Sequence, residues 1–341
     1  MNPRQLTGLT ALTLFLFAGI ALRLVVAAQF NDQSARFEWP PLDILLLRVG
    51  AVESALLAGG CLGLSGLLLQ ALLRNPLASP FILGLSAGAG LGAILAMYGA
   101  VAFNAGVLGF AVHALGLADG MVAGTFGSLA VLAIVYALGR RGGRIDPLTL
   151  VLAGTVVSSI CGALTLLVQS MMPPSSRGES WTWFMGQIPE IPSRGPAITA
   201  LVLLVVMTIA AWSRGNALDV ASTSDDEAES LGVSLKRLRI WLFLGAGALA
   251  SASVALCGPL AFVGFVAPHL SRLFLGSSHR ALVPASVIAG SALLVWADAI
   301  RQSIDLGTGR LPIGVLTALI GGPVFLCVLR SRRLVPGAWS C

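Results

Sequence analysis

The sequence predicts an all-α polytopic membrane protein of about ten transmembrane helices. Of its 341 residues, 56% are hydrophobic and only 11% are charged, against roughly 45–50% apolar and 25% charged in soluble domains. The mean hydropathy is +0.90, more apolar surface than a water-soluble fold could cover. Apolar stretches near the roughly 20-residue length of a membrane span recur along the whole chain. Ten spans use roughly 200 residues, leaving short loops and no room for a separate soluble domain. Residues 1–341 are therefore expected to form a single transmembrane domain.

The stretches fall at about 6–28, 44–73, 80–100, 120–139, 148–171, 195–213, 238–257, 259–275, 281–300 and 311–329. The first ends in Val26-Ala27-Ala28, as a cleavable signal would, but Arg23 interrupts its apolar run and argues for an uncleaved helix. The eighth holds Pro259, Pro268 and His269 and is nearly continuous with the seventh, so a short or broken helix is expected there. Residues 101–118 are apolar but contain Asn104 and His113, and are expected to lie at the outer interface without crossing. Gly59 and Gly63, and Gly84, Gly88 and Gly92, repeat at a spacing of four, which lets neighbouring helix backbones approach closely.

Basic residues set the orientation. With the N-terminus inside and ten crossings, the inner side takes fourteen of them, Arg74, Arg140, Arg214, Arg239 and Arg280 among these. The outer side takes five, Arg36, Arg177, Arg194, Arg301 and Arg310. This is the positive-inside bias, with both termini cytoplasmic, and the net charge of +6 reflects topology and anionic lipid, with no sign of nucleic-acid binding.

Catalytic and metal-binding chemistry finds little support. The five cysteines and three histidines are scattered singly, no His/Cys/carboxylate group has metal-ligand spacing, and no nucleophile elbow is present. A phosphate-binding loop needs a lysine behind a glycine-rich turn; Lys236 is the only lysine, and Gly232-Val233-Ser234-Leu235-Lys236 lacks that pattern. The chain is therefore not expected to be an enzyme by itself, and any ATP that drives it is hydrolysed on another polypeptide.

Three non-helical or loop segments stand out. Arg74-Asn75-Pro76-Leu77-Ala78-Ser79-Pro80 is a rigid turn between the second and third spans. Residues 258–269 join an apolar core to helix breakers at both ends. The loop of about 214–237 contains Ser224 to Val233, whose acidic start, Ala228, Leu231 and closing Gly232 describe a short capped helix.

These segments, in this order and spacing, resemble the FecCD permease family, which supplies membrane subunits of ATP-binding-cassette importers for ferric siderophores, haem and vitamin B12. The likeness covers about residues 45–330 and is most specific in Gln70-Ala71-Leu72-Leu73-Arg74-Asn75-Pro76-Leu77-Ala78, in Pro268-His269-Leu270-Ser271-Arg272, and in Leu311-Pro312-Ile313-Gly314 with Gly321-Gly322-Pro323. Trp183-Phe184-Met185-Gly186 also fits the family's pattern.

The resemblance implies a type II importer permease like that for vitamin B12, in a bacterial cytoplasmic membrane, pairing with a second permease subunit, a homodimer being expected. Two cytoplasmic ATPases, which hold the ATP and magnesium, and a periplasmic or lipid-anchored solute-binding protein complete the assembly; the chain itself holds no cofactor. Asp225, Asp226, Ala228, Leu231 and Gly232 would form the helix that couples to the ATPase, with Ser224 where the family usually has Gly. Asn75 and Leu77 would line the inner gate. Arg48 and Arg301 would dock the binding protein, while Gly50 and Ala51 replace the Pro and second Arg of the family's Arg-x-Pro-Arg pattern. An iron chelate is the expected solute, ferric siderophore before haem and haem before cobalamin. The rival is a proton-coupled secondary transporter acting through Glu53, Asp119 or Asp298.

Overall fold

In a computed structural model, residues 3–29, 32–37, 40–102, 120–141, 144–174, 177–178, 183–304 and 311–330 are described. The expected interfacial segment 101–118 falls almost wholly outside them. Twelve α-helices in these residues are α1 (Pro3–Val25), α2 (Leu42–Leu73), α3 (Leu85–Ala102), α4 (Gly120–Leu138), α5 (Pro147–Met171), α6 (Arg194–Ser213), α7 (Gly215–Ala221), α8 (Asp225–Ser230), α9 (Leu235–Cys257), α10 (Val263–Leu275), α11 (His279–Ser303) and α12 (Ile313–Arg330). Seven are long and apolar enough to cross a membrane, and α3, α10 and α12 are shorter apolar helices. These ten coincide with the ten apolar stretches. The architecture is nearly all helical, with two small antiparallel ribbons that the hydropathy pattern did not announce: Val26–Gln29 with Asp32–Phe37, and Arg140–Arg141 with Arg144–Ile145.

Helix α2 is the centre of the fold. It is buried along most of its length and packs against α9, α10 and α11, while α3 packs against α4 and α5, and α1 against α11. The glycine rows explain two of these contacts. A Cβ at Gly59 would sit 2.4 Å from the Gly290 carbonyl oxygen of α11, and one at Gly92 would sit 2.4 Å from that of Ala123 in α4. Neither interface would close over a larger residue, which is the use of small residues in a medium that gives no hydrophobic drive between helices.

The outer helices invert the water-soluble pattern. Leu152, Val156, Ile160 and Leu167 of α5 and Ile198, Val202, Val205 and Ile209 of α6 are exposed. So large an apolar surface is suited to lipid or to a partner subunit.

The eighth stretch is indeed broken. Helix α9 ends at Gly258 with φ 70°, Phe262 takes the left-handed region at φ 65°, and only then does α10 begin. A phenylalanine there is strained, and its side chain packs on Gly321 of α12.

Candidate functional site

The turn after α2 is built by local hydrogen bonds. Arg74 takes the left-handed region at φ 47° and caps the helix. The Asn75 side-chain oxygen accepts from the Leu77 N–H at 2.9 Å, and the Ala78 N–H donates to the Asn75 carbonyl at 3.0 Å; the prolines on either side remove the donors that would continue the helix. Gln70 clamps the turn, donating to the Ala78 carbonyl at 3.3 Å and accepting from Arg272 of α10. Asn75 is exposed, whereas Leu77 packs beside Phe265 and Val266 of α10. The two expected gate residues thus look in different directions, one to the surface and one onto the half-helix.

The same turn is tied to the 214–237 loop. Arg74 donates to the Ala221 carbonyl at 2.8 Å and pairs with Asp225, which also accepts from Arg239 of α9 at 2.8 Å. Helix α8 has the caps its sequence foretold: the Ser224 hydroxyl accepts from the Glu227 N–H at 3.1 Å. At the other end Val233 N–H reaches the Ala228 carbonyl at 2.9 Å and Gly232 N–H the Glu229 carbonyl at 3.0 Å, a Schellman motif that needs the positive φ of 82° at Gly232. Partial burial pushes the Asp225 carboxyl up, but the Arg239 and Arg74 guanidiniums outweigh it and hold it below the usual carboxylate value.

Ala228 and Leu231, both expected on the helix that couples to the ATPase, differ in exposure. Ala228 is fully buried against the protein's own helices, while Leu231, at the cap beyond the last turn, is 64% exposed. A six-residue helix ends before a three-residue spacing can define a common face. Asp226 and Gly232 are exposed as well.

At the opposite end of the helices lies a second arginine cluster. Asp298 of α11 is fully buried and pairs with Arg23 of α1, also fully buried, and with Arg301 at 2.7 Å. Arg48 donates to the Leu24 carbonyl. The two expected docking cations are therefore only 6% (Arg48) and 8% (Arg301) exposed and are engaged internally. Arg301 also borders a cavity of about 230 Å³ together with Glu190 and Leu311. The departures at Gly50 and Ala51 have a packing reason: a Cβ at Gly50 would fall 2.1 Å from the Glu190 carbonyl oxygen, and Ala51 is fully buried. A second arginine would have no exit here.

A larger cavity, about 670 Å³, was not foreseen from the sequence. Ser86 of α3, Ser158 and Thr165 of α5, Met185, Ala261 and Val315 of α12 lie on its wall. The non-helical backbone at 258–262 borders it through Pro259 and Ala261, with the Ala261 carbonyl accepting from the Val263 N–H at 2.9 Å and that of Phe262 from the Val266 N–H at 2.9 Å. Beside it the Gln187 N–H donates to the Cys257 carbonyl at 2.8 Å, and the Gly314 N–H to that of Met185 at 2.9 Å. Broken helices are tolerated at membrane depth where they are buried in protein or line a cavity. The prolines of 259–268 were a legible sign of the break; the cavity needed α3, α5 and α12 brought together. Among the described residues no group of three or more His, Cys, Asp and Glu is arranged to hold a metal.

A ten-stretch helical membrane protein with a broken eighth stretch, a cavity at the break and a capped acidic loop helix has the features of a multi-pass membrane permease. Residues 6–331 match the profile of the FecCD transport family, and the chain belongs to that family. It is 32% identical to the hemin transport system permease protein HmuU of Yersinia pestis over 85% of this chain and 83% of that protein. It is 34% identical to the vitamin B12 import system permease protein BtuC of Klebsiella pneumoniae over 96% of this chain and 95% of that one. A solved inward-facing structure assigned to the metal-chelate type of ABC transporter aligns with a TM-score of 0.78 at 26% identity, covering 96% of this chain and all of that one. The recognition drawn from the 70–78, 268–272 and 311–323 motifs therefore holds.

Proposed function

We propose that the chain is the membrane-spanning permease subunit of an ATP-binding-cassette importer and that, paired with a second permease subunit, it passes an iron chelate through the bilayer. The observation that carries the reading is the acidic loop helix α8, capped at both ends, offering Leu231 and Asp226 to the surface and joined through Asp225 and Arg74 to the turn beside the half-helix α10. An ATPase seated on α8 would push on that turn through one carboxylate. Asp226, Leu231 and Gly232 are the contacting residues, Asp225 and Ala228 hold the helix in place, and Asn75 with Leu77 forms the gate.

The solute class rests on the relatives, whose names include hemin, vitamin B12, siderophore and molybdate permeases; a ferric siderophore is the first choice, haem the second and cobalamin the third. A solute-binding protein would meet the face that carries Arg301, with Arg48 and Arg301 released from Leu24 and Asp298 on docking. The membrane is the bacterial cytoplasmic one, with both termini and the 214–237 loop inside. Proton-coupled transport is disfavoured because Asp298 is held between two arginines; Asp119 lies outside the described residues, and Glu53 is exposed on α2.

The test is reconstitution with the partner ATPase and the binding protein. The chain alone should hydrolyse no ATP, and Leu231→Arg should abolish ATPase retention and solute uptake while membrane insertion stays normal. Normal uptake by Leu231→Arg, or uptake driven by a proton gradient without ATPase, would overturn the reading. The ligand carried by the purified binding protein identifies the solute.

A further inference from the structure

Helix α6 carries an exposed apolar face, Ile198, Val202, Val205 and Ile209, that ends at Trp212, which is 52% exposed. Beyond Trp212 the surface changes from apolar to strongly cationic. The Arg280 guanidinium lies over the Trp212 ring at 5.7 Å, and that of Arg214 over the Trp241 ring at 4.8 Å. The two pairs form one patch: a Cβ at Gly215, next to Arg214, would sit 2.5 Å from the Arg280 side chain. Arg237 lies one turn before Trp241 on α9 and is exposed, as are Arg214 and Arg280.

The patch has cations without matching acids. Among the described residues none of these three arginines forms an ion pair. The nearby acid, Asp219 of α7, is taken by His279, accepting from its backbone N–H at 2.8 Å and meeting its ring Nδ1 at 2.6 Å. Asp225 is taken by Arg74 and Arg239. Arg214 donates one N–H to the Ala210 carbonyl at 3.1 Å; an arginine held over an indole ring can offer the N–H groups not so engaged to a phosphate, whose oxygens suit the guanidinium fork. Tryptophan between an apolar face and a polar rim is the residue of the membrane interface.

We propose that this corner, where α6, α7, α9 and α11 meet, is a binding site for an anionic phospholipid. Its phosphate sits between Arg214 and Arg280, with Arg237 adding charge, and its acyl chains lie along the exposed face of α6. The occupant is a lipid and not an acidic protein surface, because the cations are continuous with an apolar face of α6: a phospholipid matches the charge and the apolar face together, whereas an acidic surface would leave that face uncovered.

The experiment is native mass spectrometry of the full chain in detergent, titrated with dioleoyl phosphatidylglycerol and, separately, dioleoyl phosphatidylcholine. Each interfacial arginine contributes appreciably to the attraction for anionic lipid, so the parent should prefer phosphatidylglycerol by on the order of tenfold. Arg214→Gln with Arg280→Gln should remove that preference. Arg140→Gln, which takes away another exposed arginine lying on an aromatic ring, that of Tyr136, should leave it unchanged. A double variant that keeps the preference, or loss of it in Arg140→Gln, would overturn the site, as would displacement of the lipid by inorganic phosphate as effectively as by phosphatidylglycerol. Should the double variant instead keep lipid binding and release the ATPase, the patch is a protein contact and the proposal fails.

Discussion

Two clusters in this molecule have the same composition and opposite surroundings. Each sets one aspartate between two arginines: Asp298 with Arg23 and Arg301 at one end of the helices, Asp225 with Arg74 and Arg239 at the other. The Asp298 side chain is 1% exposed and that of Asp225 is 45% exposed. Stoichiometry alone would rank them equal, and solvent access separates them. Where water is excluded, removing a partner strands charges that nothing can solvate; at the surface water replaces what is lost. The first cluster fastens α1 to α11, whereas the second joins the loop helix α8 to the 74–80 turn and to α9 at the surface.

The largest effect is therefore expected from Asp298→Asn. It leaves Arg23 and Arg301 buried without their carboxylate, a loss of about 3–5 kcal/mol by analogy with broken buried pairs. The readout is thermal unfolding of the purified chain in detergent, or accumulation in the membrane if the variant does not survive purification. An unfolding temperature equal to the parent's would erase the distinction between the clusters.

A smaller change is expected from Arg23→Met. Asp298 keeps Arg301, and the two terminal guanidinium nitrogens of Arg23, which have no hydrogen-bond partner among the described residues, leave with it. Replacing a poorly satisfied buried cation by an apolar chain of similar length should cost no more than about 1–2 kcal/mol. The asymmetry between Asp298→Asn and Arg23→Met, measured in the same unfolding assay, sharpens the argument that carboxylate removal, and not the loss of contacts, dominates.

How much of this was legible in the sequence follows the range of each interaction. The caps of α8 are local, and Ser224 and Gly232 announce them. The glycine rows are periodic, so close helix approach at Gly59 and Gly92 could be expected, although not which helix would approach. Arg23 was noticed as a charge inside an apolar run, but its partner lies 275 residues away, beyond any periodicity. The docking role of Arg48 and Arg301 rests on the family resemblance alone: Asp298, three residues before Arg301 on α11, is a partner that helical spacing makes legible, whereas the Leu24 carbonyl that engages Arg48 lies on another helix and is not. Ala228 was placed on the wrong side because the helix stops one residue before Leu231.

Asp225→Asn should cost the fold about 0–1 kcal/mol, the range of exposed pairs, and that small cost should shrink as salt is added. Its effect on transport is a separate readout. If Asp225 links the loop helix to the 74–80 turn, ATP hydrolysis by the assembled importer should continue while uptake per ATP falls, whereas a contact residue such as Leu231 should lose the ATPase itself. Uptake per ATP equal to the parent's would remove the link.

The smallest expected effect is on acid stability of the loop, and its sign can be worked out. Asp225 is held below the ordinary carboxylate value although burial opposes this, because Arg239 and Arg74 favour the charged form; Asp219 is lowered too, burial again opposing, by its hydrogen bonds and charge contact with His279. A group with a depressed folded-state value contributes stability that is fully present above its unfolded value and is lost as pH falls through the folded one. The contribution of these carboxylates should thus weaken as pH falls below the ordinary carboxylate range near pH 4. Hydrogen exchange of residues 215–233, followed as pH is lowered and corrected for intrinsic exchange, should show protection falling there in the parent. In Asp225→Asn part of that protection should already be gone at neutral pH, while protection of the buried α11 segment around Asp298 stays high. A fall in protection at both ends at the same pH would mean that the two clusters share one environment after all.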